Sequence, residues 1–164
     1  MAKHTISRRS ILAWLGVSAA LPALTAFGAS PALAKTWRVT RTDAEWRKRL
    51  GKEAYDVLRK HGTERAFTSP LDKEKRKGTF TCKGCGNDLY SSETKFDSRT
   101  GWPSFYKPLP GAIGTSTDNL LGYPRTEVHC ADCGGHLGHV FRDGPKPTGL
   151  RYCMNGIAMN FLPA

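Results

Sequence analysis

The chain has 164 residues, of which 39% are hydrophobic, and it carries a formal net charge of +11. This length excludes a large multidomain protein and suits one modest globular domain, whose limited core would gain from a metal or disulfide staple. The positive residues are dispersed except in the run DKEKRKG at 72–78. We interpret them mainly as a solvated surface, with a docking patch for acidic partners as the alternative.

The first 34 residues have the pattern of a bacterial export signal. Three basic residues and no acid precede a long apolar run, and the sequence ALA at 32–34 offers a cleavage site. The adjacent Arg8 and Arg9 resemble a twin-arginine signal, whereas an uncleaved membrane anchor is disfavoured by the proline within the run. We expect a periplasmic or secreted protein that begins near Lys35 with a charge of +8, without a stable membrane anchor or a nucleic-acid partner.

Residues 35–62 carry helical signals. Thr42 and Glu45 fit a capping box, in which each side chain bonds the other residue's backbone amide. Apolar side chains then recur at spacings of three and four residues. The sequence predicts two short helices, broken near Gly51 and ended by Gly62, that pack as a lid or buttress.

Residues 63–164 change character toward β-structure. From residue 78 onward, short runs rich in β-forming residues alternate with clusters of Gly, Pro, Asn and Asp, which is typical of strands joined by turns. The runs that predict strands are GTFTC, TEVHC, GHVF, LRYCMN and AMNF.

Two Cys-x-x-Cys pairs provide the strongest chemical signal. Cys82 and Cys85 form one pair, Cys130 and Cys133 the other, and a glycine follows each pair. Two such turns can face each other and hold Zn²⁺ tetrahedrally, which would staple the β-domain. Two disulfides or one redox-active pair are the alternatives. Zinc is favoured because the doubled motif suits a metal site and neither pair opens a helix after a strand. A twin-arginine signal, which carries proteins that have already folded, supports this interpretation.

Cys153 is the fifth cysteine and has no such partner. If RYCMN is a strand, its period of two places Arg151, Cys153 and Asn155 on one face. A nearby arginine and histidine would lower the pKa of the thiol and favour the reactive thiolate. A dimerising thiol or a buried inert thiol is the alternative.

Two further stretches supply candidate site residues. His136, His139 and Asp143 lie close together in GGHLGHVFRDGP, where they would form a reactive site, a structural pair of histidines or additional metal ligands. In TGWPSF, Trp102 and Phe105 flank Pro103 and form either an apolar platform or part of the core.

The motifs CKGC, GWPSF, RTEVHCADC, HLGHVFRDGP and TGLRYCMN occur together and in order. In this respect the chain resembles the type B methionine sulfoxide reductases, which reduce the R epimer at sulfur, from about residue 63 to Phe161. The resemblance implies a mainly β domain of antiparallel sheets, with helices at its N-terminal side. It also implies a four-cysteine zinc site opposite the active site.

The resemblance also assigns roles to residues. Cys153 would be the nucleophile that becomes a sulfenic acid, and Trp102 would hold the methyl group of the sulfoxide, with Phe105 and Phe141 as further substrate-binding residues. The polar members of the catalytic pocket would be His136, His139, Asp143, Arg151 and Asn155. The zinc ligands would be Cys82, Cys85, Cys130 and Cys133. The substrates would be oxidised proteins or peptides that contain methionine sulfoxide.

Three positions depart from the family pattern. Thr100 stands where many relatives have a resolving cysteine, so we expect a thioredoxin-like protein or a small thiol to reduce the Cys153 sulfenic acid directly. His129 and Gly156 replace the usual arginine and serine, which concerns reductant choice and rate more than the reaction.

Two other functions fit part of the sequence. A zinc-stapled binding module would use GWPSF and the histidines as a recognition surface and leave Cys153 inert. A thiol-disulfide exchanger would need a reducible Cys-x-x-Cys pair and therefore no bound zinc.

Overall fold

A computed structural model describes residues 36–164 of the chain. The predicted export signal at 1–34 lies outside these residues. Within them, no helix is both long enough and apolar enough to cross a membrane. One α-helix, α1, spans Asp43–Lys60, and short 3-10 segments lie at Pro70–Asp72, Ser92–Thr94 and Gly156–Ala158. The strands are β1 (Gly78–Cys82), β2 (Asp88–Ser91), β3 (Lys95–Phe96), β4 (Ser104–Phe105), β5 (Ile113–Asp118), β6 (Arg125–Cys130), β7 (His136–Phe141), β8 (Arg151–Met154) and β9 (Met159–Pro163).

Helix α1 begins with the predicted capping box, because Thr42 and Glu45 bond each other's backbone amides. The predicted break is also confirmed: Gly51 has φ 71° and ψ 174°, so the helix is kinked there. Its end differs from the prediction, since Lys60 is the last helical residue and His61 takes the left-handed cap conformation with φ 56°. The left-handed residue after the last helical turn is usually a glycine. The sequence therefore indicated Gly62 as the end of the helix, whereas His61 occupies that position.

The helix acts as a buttress. Its buried face, which includes Trp46, Tyr55 and Leu58, joins the same apolar core as the strands. Two arginines also tie it to the cysteine turns: Arg49 Nε donates to the Gly84 carbonyl at 2.7 Å and Arg59 Nη1 to the Cys133 carbonyl at 3.0 Å. The helix therefore supports the two cysteine turns, and the alternative role as a lid finds no support in these contacts.

The strands form two antiparallel sheets. The first has three strands in the order β2-β1-β9, and the second has six in the order β3-β4-β8-β7-β6-β5. The predicted mainly β, antiparallel fold is thus confirmed. All five predicted strand runs appear, but β2 to β5 were missed. Strands β3 and β4 have two residues each, β2 has four, and β5 is a polar edge strand, so their sequence patterns are short or weakly apolar.

Candidate active site

A row of side chains crosses five strands of the larger sheet. Ser104 on β4 pairs with Cys153 on β8, Cys153 with His139 on β7, His139 with Glu127 on β6, and Glu127 with Ser116 on β5. Directly paired residues in neighbouring strands project from the same face of a sheet. The register therefore places the thiol, an imidazole, a carboxylate and two hydroxyl groups in one line.

The same alternation explains why Phe105 lies elsewhere. Because Ser104 is in the row, the next residue must face the opposite side of the sheet. Phe105 is fully buried there and stacks on Tyr90 with ring centroids 4.3 Å apart. Phe105 therefore lies in the core, as the alternative interpretation expected, and it does not line the cavity beside Cys153.

A small cavity of about 120 Å³ opens beside Cys153. It brings together five of the predicted site residues, namely Trp102, His139, Phe141, Cys153 and Asn155, with Thr63, Arg125 and Gly138. Pockets for drug-sized ligands measure roughly 300–1,000 Å³. The cavity is thus sized for one side chain with an aromatic wall, not for a large cofactor. A larger cavity, of about 980 Å³, contains no cysteine in its lining.

The thiol of Cys153 is half-buried, and burial raises its pKa above the ordinary value. Three neighbours oppose this rise in the pKa. The hydrogen bond from Thr100 has the largest opposing effect, and the positive charge of Arg151 and the hydrogen bond from Ser104 follow. Arg151 also contributes a weaker hydrogen bond. The Thr100 Oγ1 atom lies 3.8 Å from Sγ. The expected lowering of the pKa is not observed, because removal from water outweighs the favourable neighbours.

We expect Thr100→Val to slow alkylation of Cys153 by iodoacetamide about three- to tenfold at pH 8, which is half to one pKa unit. Valine has the shape of threonine but cannot donate to the thiolate, so the pKa rises further and less thiolate exists at any pH below it. The difference in alkylation rate should vanish at pH values above the pKa of Cys153 in both the wild type and the variant. Thr117→Val, on exposed β5, is the matched control, and labelling is measured on the Cys153 peptide by mass spectrometry. An unchanged pH profile would show that Thr100 does not act on the thiol.

An acid holds His139 in place. His139 Nε2 lies 2.7 Å from Asp118 Oδ2, and Arg125 Nη2 contacts the same carboxylate oxygen at 2.5 Å. The backbone amide of Leu120, then His139 and Arg125, lower the pKa of Asp118 to about 2, so it is ionised at neutral pH. An ionised carboxylate fixes a proton on Nε2 and leaves Nδ1 as the nitrogen that can exchange a proton. Burial lowers the pKa of His139 despite this partner.

His136 is buried and does not line the cavity. Its Nδ1 atom is 2.7 Å from Glu127 Oε1, and His61 Nδ1 is 3.0 Å from the same oxygen. Hydrogen bonds from His136 and Ser116 lower the pKa of Glu127 to about 2, although burial opposes this. The ring of His136 meets that of His139 edge-on at 5.3 Å. His136 therefore is a positioning residue that supports His139, with one face held by a carboxylate.

Arg151 and Asp143 also stand beside the cavity without lining it. They form a bidentate ion pair, with Nε to Oδ1 at 2.9 Å and Nη2 to Oδ2 at 2.8 Å. The Asp143 side chain is 61% exposed, whereas that of Arg151 is 12% exposed and lies over the ring of Phe141 at 4.4 Å. Asp143 thus orients the guanidinium that acts on Cys153, and does not itself face the cavity.

Asn155 and Glu64 join the end of β8 to the segment that carries Trp102. The Asn155 amide donates to the Leu137 carbonyl at 3.1 Å and its oxygen accepts from the Glu64 amide at 3.0 Å. The Glu64 carboxylate accepts from the amides of Gly156 and Ile157, and its carbonyl accepts from Trp102 Nε1 at 3.2 Å. This network fixes the tryptophan wall opposite the thiol.

The four remaining cysteines converge at the other end of β6 from Arg125. Their sulfur atoms all lie within 4.8 Å of one another, with Cys82 and Cys133 at 3.7 Å and Cys85 and Cys130 at 3.5 Å. These distances exceed a disulfide bond of about 2.05 Å. They approach the spacing of about 3.8 Å expected for thiolates 2.3 Å from a tetrahedral zinc ion. The donor set therefore fits a metal ion, as predicted.

Sequence reasoning missed four polar residues of the site: Glu64, Asp118, Arg125 and Glu127. Asp118 and Arg125 enclose the sequence NLLGYP, whose Asn, Gly and Pro predict a turn that would bring them together. The hairpin could therefore have been predicted from the sequence. Their contact with His139 depends on a third strand, whose register no local pattern reveals.

Comparisons with known proteins agree with this geometry. A SelR domain matches residues 50–163. The chain is 53% identical over 127 residues to the peptide methionine sulfoxide reductase MsrB of Agrobacterium fabrum, covering 77% of this chain and 94% of the relative. It is 51% identical over 126 residues to the enzyme of the same name from Leptospira interrogans, covering 76% and 96%. The chain therefore belongs to the SelR-domain family of MsrB peptide methionine sulfoxide reductases.

Proposed function

We propose that this enzyme reduces the R epimer of methionine sulfoxide in peptides and proteins, with Cys153 as the nucleophile. The observation that carries the proposal is that Cys153 and His139, which pair directly on neighbouring strands, line one cavity together with Trp102. The site thus offers a thiol, a proton-exchanging imidazole and an apolar wall to a single small side chain. Preference for the R epimer rests on the family resemblance.

The opposite pKa shifts of the two groups favour a proton shuttle. In the free enzyme the proton resides on sulfur, because burial raises the pKa of Cys153 and lowers that of His139. His139 can take this proton and pass it to the sulfoxide oxygen, which makes the sulfoxide sulfur electrophilic. The thiolate then attacks the sulfoxide sulfur and forms a sulfur-sulfur bond. The protonated oxygen moves to the cysteine sulfur as the sulfur-oxygen bond to methionine and the new sulfur-sulfur bond break, which releases methionine and leaves a sulfenic acid on Cys153. Methionine sulfur gains the two electrons that cysteine sulfur loses.

The substrate side chain fits the remaining lining. The methyl group of the sulfoxide would lie against Trp102, whose indole is anchored to the Glu64 carbonyl. Arg151 would stabilise the thiolate as the proton leaves, since its positive charge lowers the pKa of Cys153. Arg151 and His139 are thus already in place before the reaction, the first to stabilise the thiolate and the second to protonate the sulfoxide oxygen.

An external thiol would complete the cycle. The Thr100 hydroxyl, and not a second thiol, lies 3.8 Å from the Cys153 sulfur, and the other four cysteines of the chain belong to a separate cluster. A thioredoxin-like protein or small thiol would attack the sulfenic acid and release water, and a second thiol would reduce the resulting disulfide.

We further propose Zn²⁺ as the ion of the four-cysteine centre. Four thiolates at these separations match the preferred ligands and geometry of structural zinc. When bound there, zinc would join the β1-β2 turn, which holds Cys82 and Cys85, to the β6-β7 turn. Its role would be structural, because all four ligands come from protein.

The location of the protein is a proposal from residues 1–34. The twin-arginine pattern and the ALA cleavage site favour export to the periplasm or beyond. There the enzyme would repair exported proteins oxidised at methionine.

The experiment is a single-turnover assay without reductant, in which a peptide containing either separated epimer is mixed with the mature enzyme. We expect about one equivalent of the R epimer to be consumed per chain and none of the S epimer. Thr100→Cys should convert the sulfenic acid into a disulfide with Cys153 and release water, while the consumption stays at one equivalent, because oxidation of two thiols to a disulfide also supplies two electrons. Equal consumption of both epimers would contradict the R preference. Reduction of neither, with metal bound and the fold intact, would favour the binding module.

A further inference from the structure

An exposed apolar cluster lies at the tip of the β5-β6 hairpin, at residues 119–124. Leu120 is 73% exposed, Leu121 59% and Tyr123 56%. Within residues 36–164 only two other large apolar side chains, Phe67 and Leu162, are as open to solvent. Contiguous exposed apolar side chains are uncommon on proteins that do not use them for binding.

Local hydrogen bonds hold the hairpin tip. The Leu120 amide donates to Asp118 Oδ1 at 2.8 Å, and the Gly122 amide donates to the Asn119 carbonyl at 3.0 Å. Gly122 has φ 80°, a left-handed conformation that suits glycine. The turn therefore presents the leucines and the tyrosine outward on an anchored frame.

The two residues that flank this cluster in the sequence, Asp118 and Arg125, both belong to the active site. Asp118, which precedes it, bonds His139 at 2.7 Å through the carboxylate oxygen that does not bond Leu120. Arg125, which follows it, lines the cavity beside Cys153. A polypeptide whose side chain enters that cavity must continue outside it, and residues 119–124 connect Asp118, which bonds His139, to Arg125, which lines the cavity.

We propose that Leu120, Leu121 and Tyr123 bind apolar side chains that flank the methionine sulfoxide in an unfolded or locally opened polypeptide. The cavity of about 120 Å³ takes one side chain, so the substrate backbone and its neighbouring residues must lie outside. An extended chain advances about 3.3 Å per residue, which brings residues two or three positions away to the rim. This inference rests on the proposed function, because it names the substrate class of the same site.

The apolar character of the occupant follows from where methionine resides. Methionine packs in apolar cores and interfaces, and its sulfoxide is polar and disrupts them. Segments opened by such oxidation therefore carry apolar neighbours. A free amino acid has no flanking side chain and gains nothing from the hairpin tip.

The test compares three R-sulfoxide substrates: N-acetylmethionine sulfoxide, a peptide with leucine on both sides of the sulfoxide, and the same peptide with serine there. The double variant Leu120→Ser, Leu121→Ser keeps both backbone amides. We expect its kcat/KM for the leucine-flanked peptide to fall roughly tenfold, from the loss of partly buried apolar area. The other two substrates should change less than twofold. Leu162→Ser, on β9 of the other sheet, is the matched control and should leave all three unchanged.

The outcomes separate the two proposals. If the wild-type enzyme reduces none of the three sulfoxides, the proposed function fails. If it reduces all three and the double variant lowers them equally, or lowers none, the docking proposal fails while the proposed function stands. Sedimentation velocity tests whether a second copy of the chain binds the cluster instead. If the wild type is a dimer, the double variant is a monomer and the peptide kinetics are unchanged, the cluster is a dimer interface and the docking proposal fails.

Discussion

Cys153→Ser should abolish sulfoxide reduction, with a loss of at least about 10⁴-fold in kcat/KM for the R epimer. Serine fits the same space, but its hydroxyl is a far weaker nucleophile and cannot form the sulfenic acid. The fold should survive, since the side chain is half-buried at the cavity edge and contributes little to the core. Activity is measured by chromatography of the reduced peptide, alongside thermal unfolding.

Thr100→Ser is the matched control for this substitution. It alters the side chain that lies 3.8 Å from the same sulfur but keeps a hydroxyl donor there. We expect its activity within a few-fold of wild type. Residual reduction by Cys153→Ser at a wild-type rate would transfer the nucleophile to another residue and contradict the active site described above.

If the four-cysteine centre holds Zn²⁺ as proposed, removing the metal should unfold the protein. Binding of Zn²⁺ by structural cysteine sites provides on the order of 10–16 kcal/mol, whereas whole domains are stable by about 5–15 kcal/mol. Cys130→Ser should therefore lower the zinc content and abolish cooperative unfolding. A strong chelator should do the same to the wild-type protein after mild heating, with metal content measured by plasma mass spectrometry.

Cys153→Ser serves as the control here, because it removes a cysteine without touching the cluster. It should retain about one zinc per chain and melt as the wild type does. A Cys130→Ser protein that melts at the wild-type temperature would show that the metal does not staple the fold. Detection of two disulfides in place of metal would favour the alternative pairing of these cysteines.

Local sequence patterns predict contacts between residues that are close together in the chain, but not contacts that depend on how distant strands pair. The capping box at Thr42, the break at Gly51 and the two cysteine turns all follow from residues a few positions apart, and each is confirmed. The strand face that carries Arg151 and Cys153 likewise follows from a period of two. Phe105 was placed in the substrate site because its neighbours Trp102 and Pro103 form a short motif, but the pairing of Ser104 with Cys153 decides which face it takes.

The partners of the two histidines show where prediction ends. Asp118 ends β5 and Glu127 lies within β6, and no local pattern distinguishes either acid in the sequence. They meet His139 and His136 only because β5, β6 and β7 lie side by side. The pKa of Cys153 was likewise misjudged. Its charged neighbour is visible in the sequence, but the burial that outweighs this neighbour appears only once the strands have assembled.

The central claim, that Cys153 takes the sulfoxide oxygen and keeps it until an external thiol arrives, has a direct test. The enzyme is mixed with excess R-sulfoxide peptide without reductant, and its intact mass is measured with and without dimedone, which traps sulfenic acids. We predict a chain one oxygen atom heavier than the starting protein, with the dimedone adduct on Cys153 and all four other cysteines still bound to metal. A chain two hydrogen atoms lighter, with zinc released, would show a disulfide to a cysteine of the cluster and would contradict the account.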